Sequence, residues 1–266
     1  MRKKLLSGFL AGTITLCAAI GLTACQESDQ TKKLQFTLSE DGNSYLVSRL
    51  YESYKGKIII PSYYEEKPVT GIRWQAFWSC KGLTSIEIPN TVTSIGHDAF
   101  FNCFSLKSIE VPDSVTSIER GAFYGCTGAI QITIPNGITS IEESVFHSCV
   151  SLAEFTIPDS VRSIGSGAFM ICSSLTSITI PDGVTVIESS TFKWCDNLTS
   201  VTIPSSVTSI GAYVFEWCEK LTSIEFHGTK AEWNEIKKGT QWNDRTGIFN
   251  IICSDGRLDK FGVELE

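Results

Sequence analysis

Three sets of side chains in this sequence have the types and spacing to do chemistry: a row of thiols, three imidazoles and a row of acids and amides. Cys80, Cys103, Cys126, Cys149, Cys172, Cys195 and Cys218 recur every 23 residues. Zinc motifs cluster cysteines roughly two to four residues apart, so this spacing is wrong for zinc. One thiol per repeat, in phase with a phenylalanine, reads as a buried row in which cysteine acts as a small hydrophobe. Disulfides between neighbours stay open on distance, because stacked strands lie about 4.8 Å apart, yet seven thiols cannot all pair among themselves. His97, His147 and His227 fall at three different phases of the repeat and cannot stack into a metal ladder, so each is expected as a solvated surface histidine. Asn90, Asp113, Asn136, Asp159 and Asp182 each follow a repeat proline. One oxygen per coil falls short of the roughly six to eight ligands that calcium takes. The row therefore reads as Asx caps on a tight turn, with a calcium row as the alternative. There is no glycine-rich phosphate loop, nucleophile elbow or paired His–Glu zinc motif, and Gly165-Ser166-Gly167 is a turn-like variant of a repeat position. These features imply no catalytic site, no cofactor and no metal.

The elements that carry these residues are set by the repeat. Phe77, Phe100, Phe123, Phe146, Phe169, Phe192 and Phe215 share the period of 23, as do Ile72 to Ile210 and Pro89 to Pro204. A strict period without insertions means one turn of a coil per repeat, each stacked on the last. Within one coil, Leu175, Ile178 and Ile180 alternate with Ser177 and Thr179, the period-2 mark of a half-buried strand. Pro181 ends the strand by removing a donor, and Asp182-Gly183 supplies turn chemistry. Val184 and Ile187 point inward, and Ser190 to Trp194 is expected to form a short helical turn that drops Phe192 into the core. The fold class is thus a solenoid of 23-residue coils, with one short strand per coil plus short helical or irregular segments, capped at both ends.

Caps are needed because a terminal coil has no neighbour to cover it. Leu34 to Ser48 reads as a hairpin around Glu40-Asp41-Gly42-Asn43, followed by an early strand at Ile58-Ile59-Ile60. At the far end His227 takes the proline position. Ala231 to Lys237 reads as a helix with Trp233 and Ile236 as a packing pair, and a last strand and turn follow. The organisation expected is an N-terminal cap over 34–62, a solenoid over 63–227 and a C-terminal cap over 228–266.

Residues 1–24 read as a targeting segment. Arg2, Lys3 and Lys4 precede an apolar run from Leu5 to Ile20 that is short for a bilayer span. Leu22-Thr23-Ala24-Cys25 resembles the bacterial lipobox, which implies cleavage before Cys25 and attachment of lipid to its thiol. Each buried methylene adds about 0.8 kcal/mol, so two or more acyl chains anchor firmly where one does not. Residues 25–33 then form a lipidated tether, and the product is an exported, membrane-anchored lipoprotein facing outside the cytoplasm. Removing three of the 22 basic residues leaves 19 against 29 acidic ones, a charge of −10. That balance argues against nucleic acid, whose phosphates reward Lys and Arg, and against docking on anionic lipid by charge.

The pattern Leu-x-x-Ile-x-Ile-Pro-x-x-Val-x-x-Ile-Gly-x-x-Ala-Phe-x-x-Cys, as at Leu83 to Cys103, resembles the BspA-like leucine-rich repeat, also called the Treponema pallidum type. The resemblance extends over about residues 34–266, with mild departures at Ala129, Phe155 and Ser144-Val145. It implies a surface protein of the adhesion or partner-binding kind, and it names no ligand, because repeat scaffolds are reused widely.

The pair of residues between Phe and Cys varies most informatively. Its first position runs Trp78, Phe101, Tyr124, His147, Met170, Lys193, Glu216, and its second Ser79, Asn102, Gly125, Ser148, Ile171, Trp194, Trp217. Phe and Cys already serve the core, so Trp78, Phe101, Tyr124, Met170, Ile171, Trp194 and Trp217 form an apolar stripe. Such a stripe either binds a partner or seals the groove between coils. The strand face, with Ser85 to Ser223 in one row and Glu87 to Glu225 in the next, is polar and short and shows no hot spot. The function expected is a non-catalytic cell-surface binding or adhesion module for a protein or glycan ligand. Carbohydrate capture on the aromatic stripe and a passive spacer are the alternatives.

Overall fold

The computed structural model describes residues 33–50 and 54–265. The targeting segment, Cys25 and the tether up to residue 32 lie outside them. The coils stack in parallel through three walls of backbone hydrogen bonds.

The first wall is the alternating strand. Ser177–Thr179, Ser200–Ile203, Ser223–Phe226 and Asn250–Cys253 pair in parallel with Ile178, Val201, Ile224 and Ile251 in register. Their inward Ile and Val side chains are buried while Thr179 and Glu225 face solvent, which is what the alternation requires. The second wall is an additional strand of two residues per coil at the Ser–Ile step: Ser94–Ile95, Ser117–Ile118, Ser140–Ile141, Ser163–Ile164, Val186–Ile187 and Ser209–Ile210. The third wall has no strands. Here the amide of each repeat phenylalanine donates to a carbonyl of the following coil, from Phe77 to Ala99 (2.8 Å) through Phe192 to Val214 (3.0 Å). Between the strand and the second wall the turn after each proline closes through the backbone, as in Val92 N–H to Pro89 C=O at 3.0 Å. Among the described residues the side chains of Asn90, Asp113, Asn136, Asp159 and Asp182 make no hydrogen bond, so their expected role as turn caps is not observed.

The core is the inside of the coil. Phe77, Phe100, Phe123, Phe146, Phe169, Phe192 and Phe215 are fully buried and stack in one column, with centroids 4.9 to 5.8 Å apart. Beside them the thiols form the column expected. Cys103, Cys126, Cys149, Cys172, Cys195 and Cys218 are buried and not in disulfides. Each Sγ donates to the carbonyl of the phenylalanine 26 residues earlier, at 3.1 to 3.3 Å. A thiol is a weak donor, and here each one has a carbonyl to donate to.

Two of the walls are interrupted, the strand wall first between Gly82–Glu87 and Ser108–Glu110. The second wall stops after Ser117–Ile118 and restarts at Ser140–Ile141, and residues 153–157 form no strand between Gln131–Thr133 and Ser177–Thr179. Phe155 stands there in place of the usual Ile. Its ring, 8% exposed, packs between Phe146 (4.7 Å) and Phe169 (5.2 Å). A ring needs more room than a branched aliphatic side chain, and the ladder opens beside it into a groove of about 520 Å³.

At the N-terminal end Leu34–Leu38 and Tyr45–Leu50 form an antiparallel hairpin, whose loop is closed by Asp41 accepting from Ser39 and Asn43. At the other end Thr229 caps the helix Lys230–Glu235 by a reciprocal pair with Glu232. Trp233 and Ile236 are buried under it. Asn250–Cys253 and Gly256–Asp259 then turn antiparallel, ending the parallel stack.

Candidate interaction surface

The segment that carries the variable pair is irregular, not the short helical turn expected at Ser190 to Trp194. Two residues four apart bracket every core phenylalanine in the left-handed region: Gln75 and Ser79, Asp98 and Asn102, Gly121 and Gly125, and so on to Tyr213 and Trp217. Their φ values run from 52° at Ser79 to 69° at Gly125. The double reversal points phenylalanine inward and lays the next side chain along the outer wall. The second variable position is thus always left-handed. Asn102 and Gly125 suit that backbone, and they are the signal in the sequence that could have revealed it.

In the N-terminal half the first variable position carries rings, and these stack on one another. Trp78 lies 4.0 Å from Phe101, Phe101 4.7 Å from Tyr124, and Tyr124 4.3 Å from His147, all nearly parallel. All four are half-buried. His147 is therefore not the solvated histidine expected. Burial lowers its pKa and favours the neutral ring, and its Nδ1 sits 2.9 Å from Ser148 Oγ. Met170 continues the row, half-buried.

In the C-terminal half the large apolar group moves to the left-handed position. Ile171, Trp194 and Trp217 have φ of 61°, 59° and 65°. The vacated first position holds Lys193 and Glu216, which pair at 2.5 Å with Glu216 only 9% exposed. Lys193 Nζ also sits 4.8 Å from the Trp194 centroid and 5.0 Å from that of Tyr213, and the Arg245 guanidinium lies 4.4 Å above Trp217. Cations over ring faces at these distances are attracted by the ring quadrupole. Trp194 is 37% exposed. The structure thus splits the stripe: Trp78, Phe101 and Tyr124 join one stack, Trp194 and Trp217 belong to a cation-flanked cluster, and Met170 and Ile171 lie between. Tyr213 and Arg245 were not legible as members, because neither occupies the variable pair.

The remaining chemistry-bearing groups are dispersed. Burial pushes the thiols up, Cys172 and Cys218 to about 12, so they are held as neutral SH. His97 stacks on Trp74 at 5.6 Å and lies 3.5 Å from Glu119, while His227 is exposed on the strand face. Among the described residues no three His, Cys, Asp or Glu side chains converge as a metal site, and no helix is long and apolar enough to cross a membrane.

Residues 70–196 and 139–240 match the family described as the BspA type leucine rich repeat region, in six copies. No curated protein matches the chain. Among solved structures it is similar to a T. pallidum leucine-rich-repeat protein, with 32% identity, 71% of this chain and 88% of that one covered, and a TM-score of 0.66. It is also similar to a leucine-rich-repeat protein from Bacteroides ovatus, with 31% identity over 81% of this chain and a TM-score of 0.73. The match spans 56% of the length of that Bacteroides protein.

Proposed function

This chain belongs to the BspA-type leucine-rich-repeat family, and we propose that it is a non-catalytic binding module: an exported lipoprotein, anchored through Cys25, that docks a protein partner on the face formed by Ile171, Trp194 and Trp217. The observation that carries this reading is the backbone under those three residues. A left-handed conformation costs an ordinary L residue roughly 1–2 kcal/mol, and for β-branched Ile171 it is a clear outlier. The coils before them meet the same backbone with Ser, Asn or Gly. Strain of this kind concentrates at sites of function. The surrounding side chains, Tyr213, Lys193 and Arg245, have the composition of binding hot spots, which are rich in Trp, Tyr and Arg.

The test measures partner affinity and thermal stability on the same variants. The body of the protein is screened against an array of extracellular matrix proteins. Trp194→Ser then weakens the partner found by about 2 kcal/mol or more while the melting temperature stays close to that of the parent. A variant that melts far lower yet binds normally when folded would make this face a seal. The anchor is tested separately: Cys25→Ala leaves the membrane fraction or remains unprocessed, and a variant processed normally and retained on membranes removes the lipoprotein assignment.

A further inference from the structure

The ring stacks end at the N-terminal cap, and the geometry of that end points to a second binding site. Each coil covers the outward rings of its neighbour, so the first ring in a stack keeps one face bare unless the cap covers it. The cap does not. Val47 pairs with Ile72, an offset of 25 residues, but only three residues later Leu50 N–H donates to Ala76 C=O, which aligns Leu50 with Phe77 at an offset of 27. The cap coil is thus two residues short where the next coil carries the Arg73-Trp74-Gln75 bulge. The missing residues leave a cleft of about 370 Å³ lined by Ser48, Arg49, Arg73, Trp74, Gln75 and Trp78. Trp74 is 51% exposed, while His97 lies parallel to it at 5.6 Å on the side of the next coil.

The cleft is positive in an acidic protein. The chain carries a net charge of −7, yet no carboxylate lines this site among the described residues. Arg49 is exposed and Arg73 half-buried, and Arg73 Nη1 lies 3.5 Å from Thr37 Oγ1, a neutral hydroxyl. Neither guanidinium is paired with a carboxylate among the described residues. Two arginines with no carboxylate partner among the described residues, beside a flat indole with a Gln and a Ser at the rim, describe a ligand with an apolar face, hydroxyls and one planar anion. An acidic peptide would supply the anion, but a single flat indole face in a cleft of about 370 Å³ suits one ring better than an extended chain.

We propose that this cleft binds a carboxylated sugar ring, stacked on Trp74, with its carboxylate held by Arg49 and Arg73 in the bidentate manner guanidinium favours. The inference rests on the reading of the chain as a binding module and is independent of the Trp194 face.

The full chain, in detergent, is titrated calorimetrically with trigalacturonate, its trimethyl ester, 3′-sialyllactose and lactose. At least one acidic sugar binds saturably, and its neutral counterpart binds at least about tenfold more weakly, as loss of a charge-assisted contact predicts. Trp74→Ala and Trp74→Leu each weaken the acidic sugar by at least about tenfold with the melting temperature unchanged, since the ring is half exposed. Arg49→Met combined with Arg73→Met brings the acidic sugar down to the affinity of its neutral counterpart. Absence of binding to both acidic sugars, equal binding of acid and neutral forms, or retention of affinity in the Trp74 variants overturns the proposal. Failure here with matrix-protein binding intact removes only the cleft. Loss of matrix-protein binding with sugar binding intact removes only the Trp194 face.

Discussion

The two halves of the outer wall solve one problem differently. From Trp78 to His147 each ring rests against the next at 4.0 to 4.7 Å, and the backbone that carries them is ordinary. From Ile171 to Trp217 the side chains occupy left-handed positions, do not stack on one another, and take Lys193 and Arg245 as neighbours. A row that stacks on itself gains most of what it can from the fold. A row that is strained and half open has contact area left to offer a partner. The same repeat position can thus be packing in one half of a solenoid and surface in the other, and a stripe traced along the sequence joins two different things.

The largest expected effect tests what the halves share. The thiols run through both, and burial raises their pKa from about 9, to about 12 for Cys172 and Cys218. A group that titrates higher in the folded state supports the fold fully below its unfolded value and loses that support as pH climbs through the folded one. Stability should therefore hold below pH 9 and fall between about 9 and 12, by about 1.4 kcal/mol per thiol for each pH unit. Circular dichroism melts from pH 7 to 11 should show one transition moving down steeply. Two separating transitions would show that the halves are thermodynamically distinct inside as well as outside. At neutral pH an alkylating reagent should reach these thiols only in denaturant.

The next largest effect separates the walls. Phe101→Ser removes two stacking contacts and a half-buried ring, and it should cost about 2–3 kcal/mol of stability without altering partner affinity. If it weakened binding and spared stability, the N-terminal row would be the recognition surface and the comparison would invert. The smallest effect has the opposite sign. Ile171→Asn places a residue tolerant of left-handed backbone where a β-branched one now sits, and it should stabilise the fold by about 1 kcal/mol. A destabilised variant would mean that the Ile171 side chain contributes more packing than its backbone costs.

The repeat, the Phe column and the thiol row were legible because each is a column of one residue type at a fixed period. The two-residue strands at Ser94–Ile95 and its equivalents were not, since alternation cannot be detected over two residues. The left-handed positions were hidden for a related reason: Gly125 and Asn102 advertise positive φ, but Trp194 and Ile171 contradict it. Trp74 escaped notice because its importance lies in what the cap omits. Phe155 was visible as a departure from Ile, but its opening of the ladder depends on three-dimensional crowding against Phe146 and Phe169.

The three walls have a mechanical consequence. Their hydrogen bonds run along the stacking direction, so a pull applied between the two ends of the molecule loads them one coil at a time, as in peeling tape, instead of shearing many together. Each coil that lets go converts about 5 Å of height into 23 residues of slack chain, a gain of roughly 75 Å. Yielding should start at residues 153–157, where the strand ladder is open toward both neighbouring coils. A solenoid built this way gives under tension in small recoverable steps, and single-molecule extension traces should show a first step at that coil, abolished by Phe155→Ile.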